Sequence, residues 1–237
     1  MKDLSIVIPA YNEGRIIEQS IKTVHTFFST QPLMWELVVV NDGSTDGTRE
    51  QLDQLQKKYE RLTVIHFPHN RGKGAAVREG FRQSVGDYML FFDADLSVPL
   101  EEFRKFWDAK NECMVLIGSR VLHDSQVMVH QPMIKEYTGK LGNLLTRILL
   151  PLPYHDTQCG FKLFPGSFRS MLSKSSINGA LFDVEWLMLA RAHDFTIQEI
   201  PVIWSNRSES RFTLLSYIRS LYDLIILSLR YRHIFSR

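Results

Sequence analysis

Apolar runs and amphipathic segments alternate through the first 120 residues. Residues 4–9 (LSIVIP) form a short run rich in Ile and Val and predict a buried strand. Apolar positions at helical spacing over 15–28 predict a helix, and 35–41 (WELVVVN) predicts a second strand. A polar amphipathic helix is expected over 45–59, with Asp46 in its first turn, where it favours the helix dipole. Strands at 62–67, 87–92 and 114–118 and helices at 74–84 and 100–109 continue the series. The strand runs are continuously apolar, the pattern of strands covered on both faces. The chain therefore predicts an α/β fold with a parallel sheet in βαβ order.

The second half is less regular. A helix over 130–150 becomes apolar nearly all round, and 160–164 (GFKLF) is a short strand. A helix at 183–193, a strand at 196–204 and a long helix at 213–230 follow. The last carries a polar stripe of Thr213, Ser216, Arg219, Ser220, Asp223 and Arg230 on an otherwise apolar surface. That pattern suits either core packing or a helix lying in a membrane interface.

In an open α/β sheet, ligands bind beyond the carboxyl ends of the strands. The residues that follow each predicted strand are polar and often charged. They are Tyr11, Asn12 and Glu13; then Asp42, Ser44 and Asp46; then Asn70, Arg71 and Lys73; then Asp93 and Asp95; then Ser119 and Arg120. Taken singly, each has a bland reading. NDGSTDG (41–47) serves as a turn and helix cap, and NRGKG (70–74) lacks the spacing of a Walker loop. The conjunction says more. Asp93 and Asp95, two carboxylates one residue apart at a strand end, make an oxygen-rich place for Mg²⁺ or Mn²⁺, which relieves their repulsion and can bridge a diphosphate.

A chain of 237 residues with 44% hydrophobic content can fill the core of one large domain, and a formal net charge of +2 gives no overall basic excess pointing to nucleic acid. The distribution is uneven: positions 207–237 hold six Arg and no Lys against Glu209 and Asp223, a local net of +4. Such a tail is a solvated end or a surface for anionic lipid. The two cysteines, Cys113 and Cys159, have no CxxC spacing and suit a reduced, cytoplasmic setting. The N-terminus lacks the pattern of a signal peptide, and no stretch approaches the ~20 apolar residues of a membrane span. The longest candidate, 212–229, is broken by Arg219 and Asp223.

The set VIPAYNE, VVNDGSTDGT, NRGKGAAVREG, FFDADLS, GSR, DTQCGFKLF and FDVEWLMLARA resembles the inverting family 2 glycosyltransferases of GT-A fold. Within them it is most similar to the polyprenyl-phosphate (dolichyl- or undecaprenyl-phosphate) hexose synthases. The resemblance runs from about residue 4 to 204. It implies a Rossmann-like, mostly parallel sheet flanked by helices, and a C-terminal amphipathic helix beyond it. It implies a catalytic domain at 1–206, with a donor half at 1–120 and an acceptor half at 121–206, and a basic helix at 207–237. Carried over by residue, Pro9, Ala10, Tyr11 and Glu13 would line the nucleotide pocket, Asp42 would bond the base, and Lys73 would lie near the nucleotide. Asp93 would contact ribose or metal, Asp95 would ligate the metal, and Arg120 would bind the donor diphosphate or acceptor phosphate. Asp156, Gln158, Lys162, Asp183 and Glu185 would form the acceptor and sugar side. Two positions depart from the family. Ser97 stands where relatives have a Gln, and Lys135 of QPMIK stands where many have an Arg for the phosphate.

The expected reaction is transfer of a hexose from a nucleotide-diphosphate sugar to a polyprenyl phosphate, with Mg²⁺ or Mn²⁺ as cofactor. DTQCGFK resembles the glucosyl-transferring relatives, which favours UDP-glucose. The protein is expected at the cytoplasmic face of the membrane, peripherally bound or held by a membrane-anchored partner, with no nucleic-acid partner. Alternatives are a GDP-mannose donor, a soluble or glycan acceptor, or a nucleotide-sugar binding subunit without activity. A nucleotidyltransferase would need a glycine-rich loop after the first strand, and YNEG offers none.

Overall fold

The computed structural model describes residues 2–129, 144–150, 152–206 and 214–231. Its main sheet holds seven strands in the order β3-β2-β1-β4-β7-β5-β8. These are β1 (Lys2–Ala10), β2 (Trp35–Asn41), β3 (Leu62–His66), β4 (Gly86–Phe92), β5 (Met114–Ser119), β7 (Phe161–Pro165) and β8 (Thr196–Pro201). Only β7 runs antiparallel, wedged between β4 and β5 with Lys162 opposite both Phe91 and Ile117. A small second sheet pairs β6 (Gln126–Val129) with β9 (Ile203–Ser205). The α/β, mostly parallel expectation holds.

Helices cover both faces. α1 (Ile17–Ser29), α2 (Thr48–Lys58) and α4 (Phe103–Ala109), preceded by a 3-10 turn at Leu100–Glu102, pack on one side. α3 (Lys73–Gln83), the 3-10 segment Gly166–Lys174, α6 (Phe182–Ala192) and α7 (Leu214–Tyr231) pack on the other, with α5 at 144–149 beside them. The period-2 alternation of a strand divides β1 between the two layers: Ile6 and Ile8 face the first, Val7 the second. Gly80 lets α3 lie directly on β1, since a Cβ there would meet Val7 Cγ1 at 2.3 Å.

Several elements differ from the sequence pattern. The strand expected over 196–204 breaks in two. Pro201 has no N–H to donate, and the next residue turns away: Val202 N donates to Ser119 O at 3.1 Å while Val202 O accepts from Gln126 N at 3.2 Å. The helix expected from 45 starts at Thr48, because Asp46 caps it from outside, accepting the Thr48 amide at 3.0 Å. β6 and the 3-10 segment at 166–174 have no clear apolar period and escape a pattern reading. Most of 130–150, including Lys135, lies outside the described residues.

α7 has two apolar faces. Leu224, Leu227 and Tyr231 are buried in the second layer with Trp186 and Phe168. Ile218, Leu221, Tyr222, Ile225 and Leu229 are exposed on its outer side. No described helix is long and apolar enough to cross a membrane.

Candidate active site

The loops after β1, β2 and β3 are fastened to one another at the carboxyl edge of the sheet. Asn12 sits in the left-handed region (φ 54°), and its side-chain oxygen accepts the Thr45 amide at 2.7 Å. Its own amide donates to Ser44 Oγ at 2.8 Å. Pro9 and Ala10 end β1, Tyr11 is exposed beyond them, and the Glu13 carbonyl accepts the amides of Ile16 and Ile17.

Asp42, expected to bond the base, is nearly buried and already engaged. Its carboxylate accepts Asn70 Nδ2 at 3.0 Å, Arg71 N at 2.7 Å and Gly72 N at 2.9 Å. Burial raises its pKa despite those donors. Its place in the structure is that of an anchor for the 70–72 loop. Gly72 has φ 101°, which a side chain would strain, and a Cβ there would meet Asn178 O at 2.3 Å. The Gly74 amide donates to the same carbonyl at 2.9 Å. α3 thus starts pinned between Asp42 and Asn178.

Lys73, in its first turn, reaches the end of β4. Its Nζ lies 2.6 Å from Asp93 Oδ1. Burial pulls the Lys73 pKa down, but Asp93, with Asp183 and Asp95 farther off, raises it overall, so the ammonium stays charged. The backbone turns sharply after Asp93, with Leu96 at φ 51° and its amide on Asp93 O at 3.1 Å. Asp95 Oδ1 accepts the Ser97 amide at 2.9 Å. Gly160 closes over Asp93: a Cβ at that glycine would meet Asp93 Oδ2 at 2.1 Å. Beside it is a small cavity lined by Phe92, Asp93, Leu96, Ser97, Val98, Gly160 and Trp204.

Arg120 follows β5 and is held in a fork. Asp156 accepts Arg120 Nε at 2.7 Å, Nη2 at 2.9 Å and the backbone amide at 3.0 Å. Trp204 lies against the guanidinium, 5.6 Å from its ring centre. Burial would raise the Asp156 carboxyl, but Arg120 outweighs it and holds the group below its usual range. Asp156, expected on the acceptor side, is almost fully buried and seats Arg120. The seat has its own support, since Glu199 accepts the amides of His155 and Asp156 at 2.9 Å. Gln158 is exposed nearby. Burial pushes the intervening Cys159 thiol up to about 12, so it stays neutral.

Three further residues expected on the acceptor side are engaged within the protein. Lys162 is fully buried, donating to Cys159 O at 2.6 Å and Asp183 Oδ2 at 3.0 Å, so its charge is spent inside the protein. Asp183 is the second residue of α6, and its other oxygen accepts the Val184 amide at 2.9 Å. Glu185, also fully buried, holds Ser175, Ser176, Ile177 and Arg230. Motif matching did not reveal the partners Asn178, Glu199, Trp204 and Arg230, because each acts through a fold contact distant in sequence.

Lys73, Arg120 and Lys162 therefore face Asp93, Asp95, Asp156 and Asp183, leaving an excess of one carboxylate. Among the described residues no group of three or more His, Cys, Asp or Glu is placed to hold a metal. Asp93 and Asp95 still fit a hard divalent cation. Asp93 already attracts a cation at 2.6 Å, Gly160 keeps side-chain carbon away from its second oxygen, and Mg²⁺ commonly takes only one or two protein carboxylates beside phosphate and water.

Residues 5–170 match the family described as Glycosyl transferase family 2. The chain belongs to that family. Among its relatives, a dolichyl-phosphate beta-glucosyltransferase of Saccharomyces cerevisiae is 34% identical over 249 residues, covering 96% of this chain and 75% of the relative. One of Trichomonas vaginalis is 31% identical over 242 residues, covering 97% and 74%. Among solved structures, glucosyl-3-phosphoglycerate synthase of Mycobacterium tuberculosis, in complex with Mn²⁺, UDP and glucosyl-3-phosphoglycerate, superposes with a TM-score of 0.65 at 18% identity, over 97% of this chain and 80% of that one. The family 2 transferase therefore has the GT-A-like α/β fold expected from its motifs.

Proposed function

We propose that this family 2 glycosyltransferase moves glucose from UDP-glucose to the phosphate of a polyprenyl phosphate, with inversion, at a membrane surface. One observation carries the donor half: Lys73, Asp93, Asp95 and Arg120 converge at the carboxyl ends of the strands, where charge on a nucleoside diphosphate would be met. The names of the yeast and Trichomonas relatives support the sugar and the acceptor. The Mn²⁺ and UDP of the mycobacterial synthase support a metal and a uridine donor.

Asp93 and Asp95 would hold a divalent cation, Mg²⁺ or Mn²⁺, which supplies charge neutralisation at the diphosphate. Arg120 keeps Nη1 clear of Asp156, and its exposed portion, 30% of the side chain, lets it meet an anion. Lys73 adds a point charge within the same cluster. The acceptor phosphate is ionised at neutral pH, so attack through its oxygen needs no carboxylate to remove a proton. That agrees with Asp183, whose carboxylate is occupied by Lys162 and its own helix.

The outer face of α7 suits a peripheral attachment. Ile218, Leu221, Tyr222, Ile225 and Leu229 would enter the interface, and the exposed Arg219 would meet an anionic headgroup at about 1 kcal/mol. In this division of labour 1–120 binds the donor, 121–206 the acceptor, and 207–237 the membrane.

The reading is tested by offering UDP-glucose, GDP-mannose and other nucleotide sugars to the protein with membrane extract and Mg²⁺ or Mn²⁺. Glucose entering the lipid phase from UDP-glucose is expected. Product confined to the aqueous phase would point to a soluble acceptor, and mannose incorporation would overturn the donor.

A further inference from the structure

A chain of polar contacts joins the C-terminal helix, through the 175–178 loop, to the start of α3, where Lys73 stands. It starts at Arg230, whose Nη1 donates to Glu185 Oε1 at 2.8 Å and to Ser176 Oγ at 2.7 Å. Glu185 has no exposed surface and is the hub. Its carboxylate also accepts Ser175 Oγ at 2.7 Å, Ser176 N at 3.0 Å and Ile177 N at 2.9 Å. Every hydrogen-bonding direction of the carboxylate is used, so the 175–177 backbone has one position relative to α6.

The loop passes this order on to α3. Arg78 donates to Ile177 O at 3.3 Å and to Asn178 Oδ1, and Asn178 O accepts the Gly74 amide at 2.9 Å. Gly72 approaches the same carbonyl so closely that a Cβ has no room. Between those two glycines stands Lys73, 2.6 Å from Asp93.

We infer that Arg230 is a positioning residue for the donor site: by completing the Glu185 hub it fixes the 175–178 loop, and through Asn178 the Gly72–Gly74 backbone from which Lys73 reaches Asp93. Seating of α7 and donor affinity are then coupled, since an interaction that orders the loop lowers the cost of ordering it on donor binding. The face of α7 opposite its buried residues is the one proposed to touch the membrane, so the same helix links lipid attachment to the nucleotide end. The inference rests on the donor reading above only for the identity of the ligand.

The variants are Arg230→Ala and Arg230→Lys, chosen because Arg230 is 39% exposed at its side chain and can be changed with the hydrophobic seat of α7 intact. Full-length proteins are compared by titration with UDP and Mn²⁺ and by amide hydrogen exchange. For Arg230→Ala, UDP is expected to bind about 5-fold more weakly, the low end of a typical coupling between sites, and the amides of Ser176, Ile177 and Gly74 to exchange faster. Arg230→Lys, which retains the charge and one donor nitrogen without the planar guanidinium, is expected to recover part of both effects. An Arg230→Ala protein with wild-type UDP affinity would overturn the coupling. Exchange at Gly74 no faster than wild type would overturn the path through Asn178. If wild-type protein binds no UDP, the donor reading fails instead, and the Gly74 exchange still decides whether Arg230 orders the loop.

Discussion

The ammonium of Lys73 rests 2.6 Å from a carboxylate oxygen of Asp93, so the first turn of α3 is tied to the end of β4 by opposite charges. The pair is partly exposed, with about two-fifths of each side chain open, and contributes little to folding. Its consequence is for binding. Lys73→Met is expected to raise the UDP-glucose KM about tenfold, ~1.4 kcal/mol, with little change in melting temperature. Initial rates at varied donor concentration check this; an unchanged KM would remove Lys73 from the donor site.

Arg120 is aimed by a bidentate carboxylate, and a lysine cannot reproduce the fork. Arg120→Lys should lower kcat/KM by roughly tenfold or more. Wild-type kinetics in that variant would place Arg120 outside the diphosphate site.

The acid stability of the protein should depend on the same pair. Arg120 holds the Asp156 carboxyl below its ordinary value of 3.8. A carboxyl lowered in the folded state adds stability that is present above 3.8 and is lost as pH falls below it toward the folded value. Asp156→Asn is therefore expected to be less stable at neutral pH and to lose less on acidification below that point. Denaturant melts at pH 7 and pH 3 measure it, and parallel losses in both proteins would contradict the linkage.

Membrane attachment is best tested by surface changes. Deleting α7 would strip Leu224, Leu227 and Tyr231 from the core, so a truncated chain is expected to be destabilised for reasons unrelated to lipid. Replacing Ile218, Leu221, Ile225 and Leu229 by Ser alters exposed positions only. That variant should keep UDP binding and lose flotation with anionic liposomes, and wild-type flotation should fall at high salt. Equal flotation of the two proteins would move the attachment elsewhere.

The centre of the sheet was legible because β1, β2, β4 and β5 are written as mostly apolar runs, and β2 begins and ends at the residues its pattern predicts. The site edge was legible for the same reason: polar residues after each strand had one place to go. The tasks of individual residues were not. Nothing local distinguishes Lys162, neutralised by Asp183 across the fold, from a lysine open to phosphate. Asp42 and Glu185 likewise reveal themselves as anchors only once the loops they hold are in place. The two faces of α7 were visible as a wide apolar surface, but its burial depends on partners in α6 and the 166–174 segment.

The central claim is lipid-phosphate glucosylation supported by the carboxylates at the end of β4. Its most direct test incubates purified wild-type and Asp95→Asn protein with labelled UDP-glucose and a defined polyprenyl phosphate in detergent, with Mn²⁺ or with EDTA. Labelled glucose is expected in the organic phase only with wild-type protein and metal, while Asp95→Asn remains folded by circular dichroism. Label that stays in the aqueous phase with the wild type, or equal lipid product from Asp95→Asn, would contradict the account.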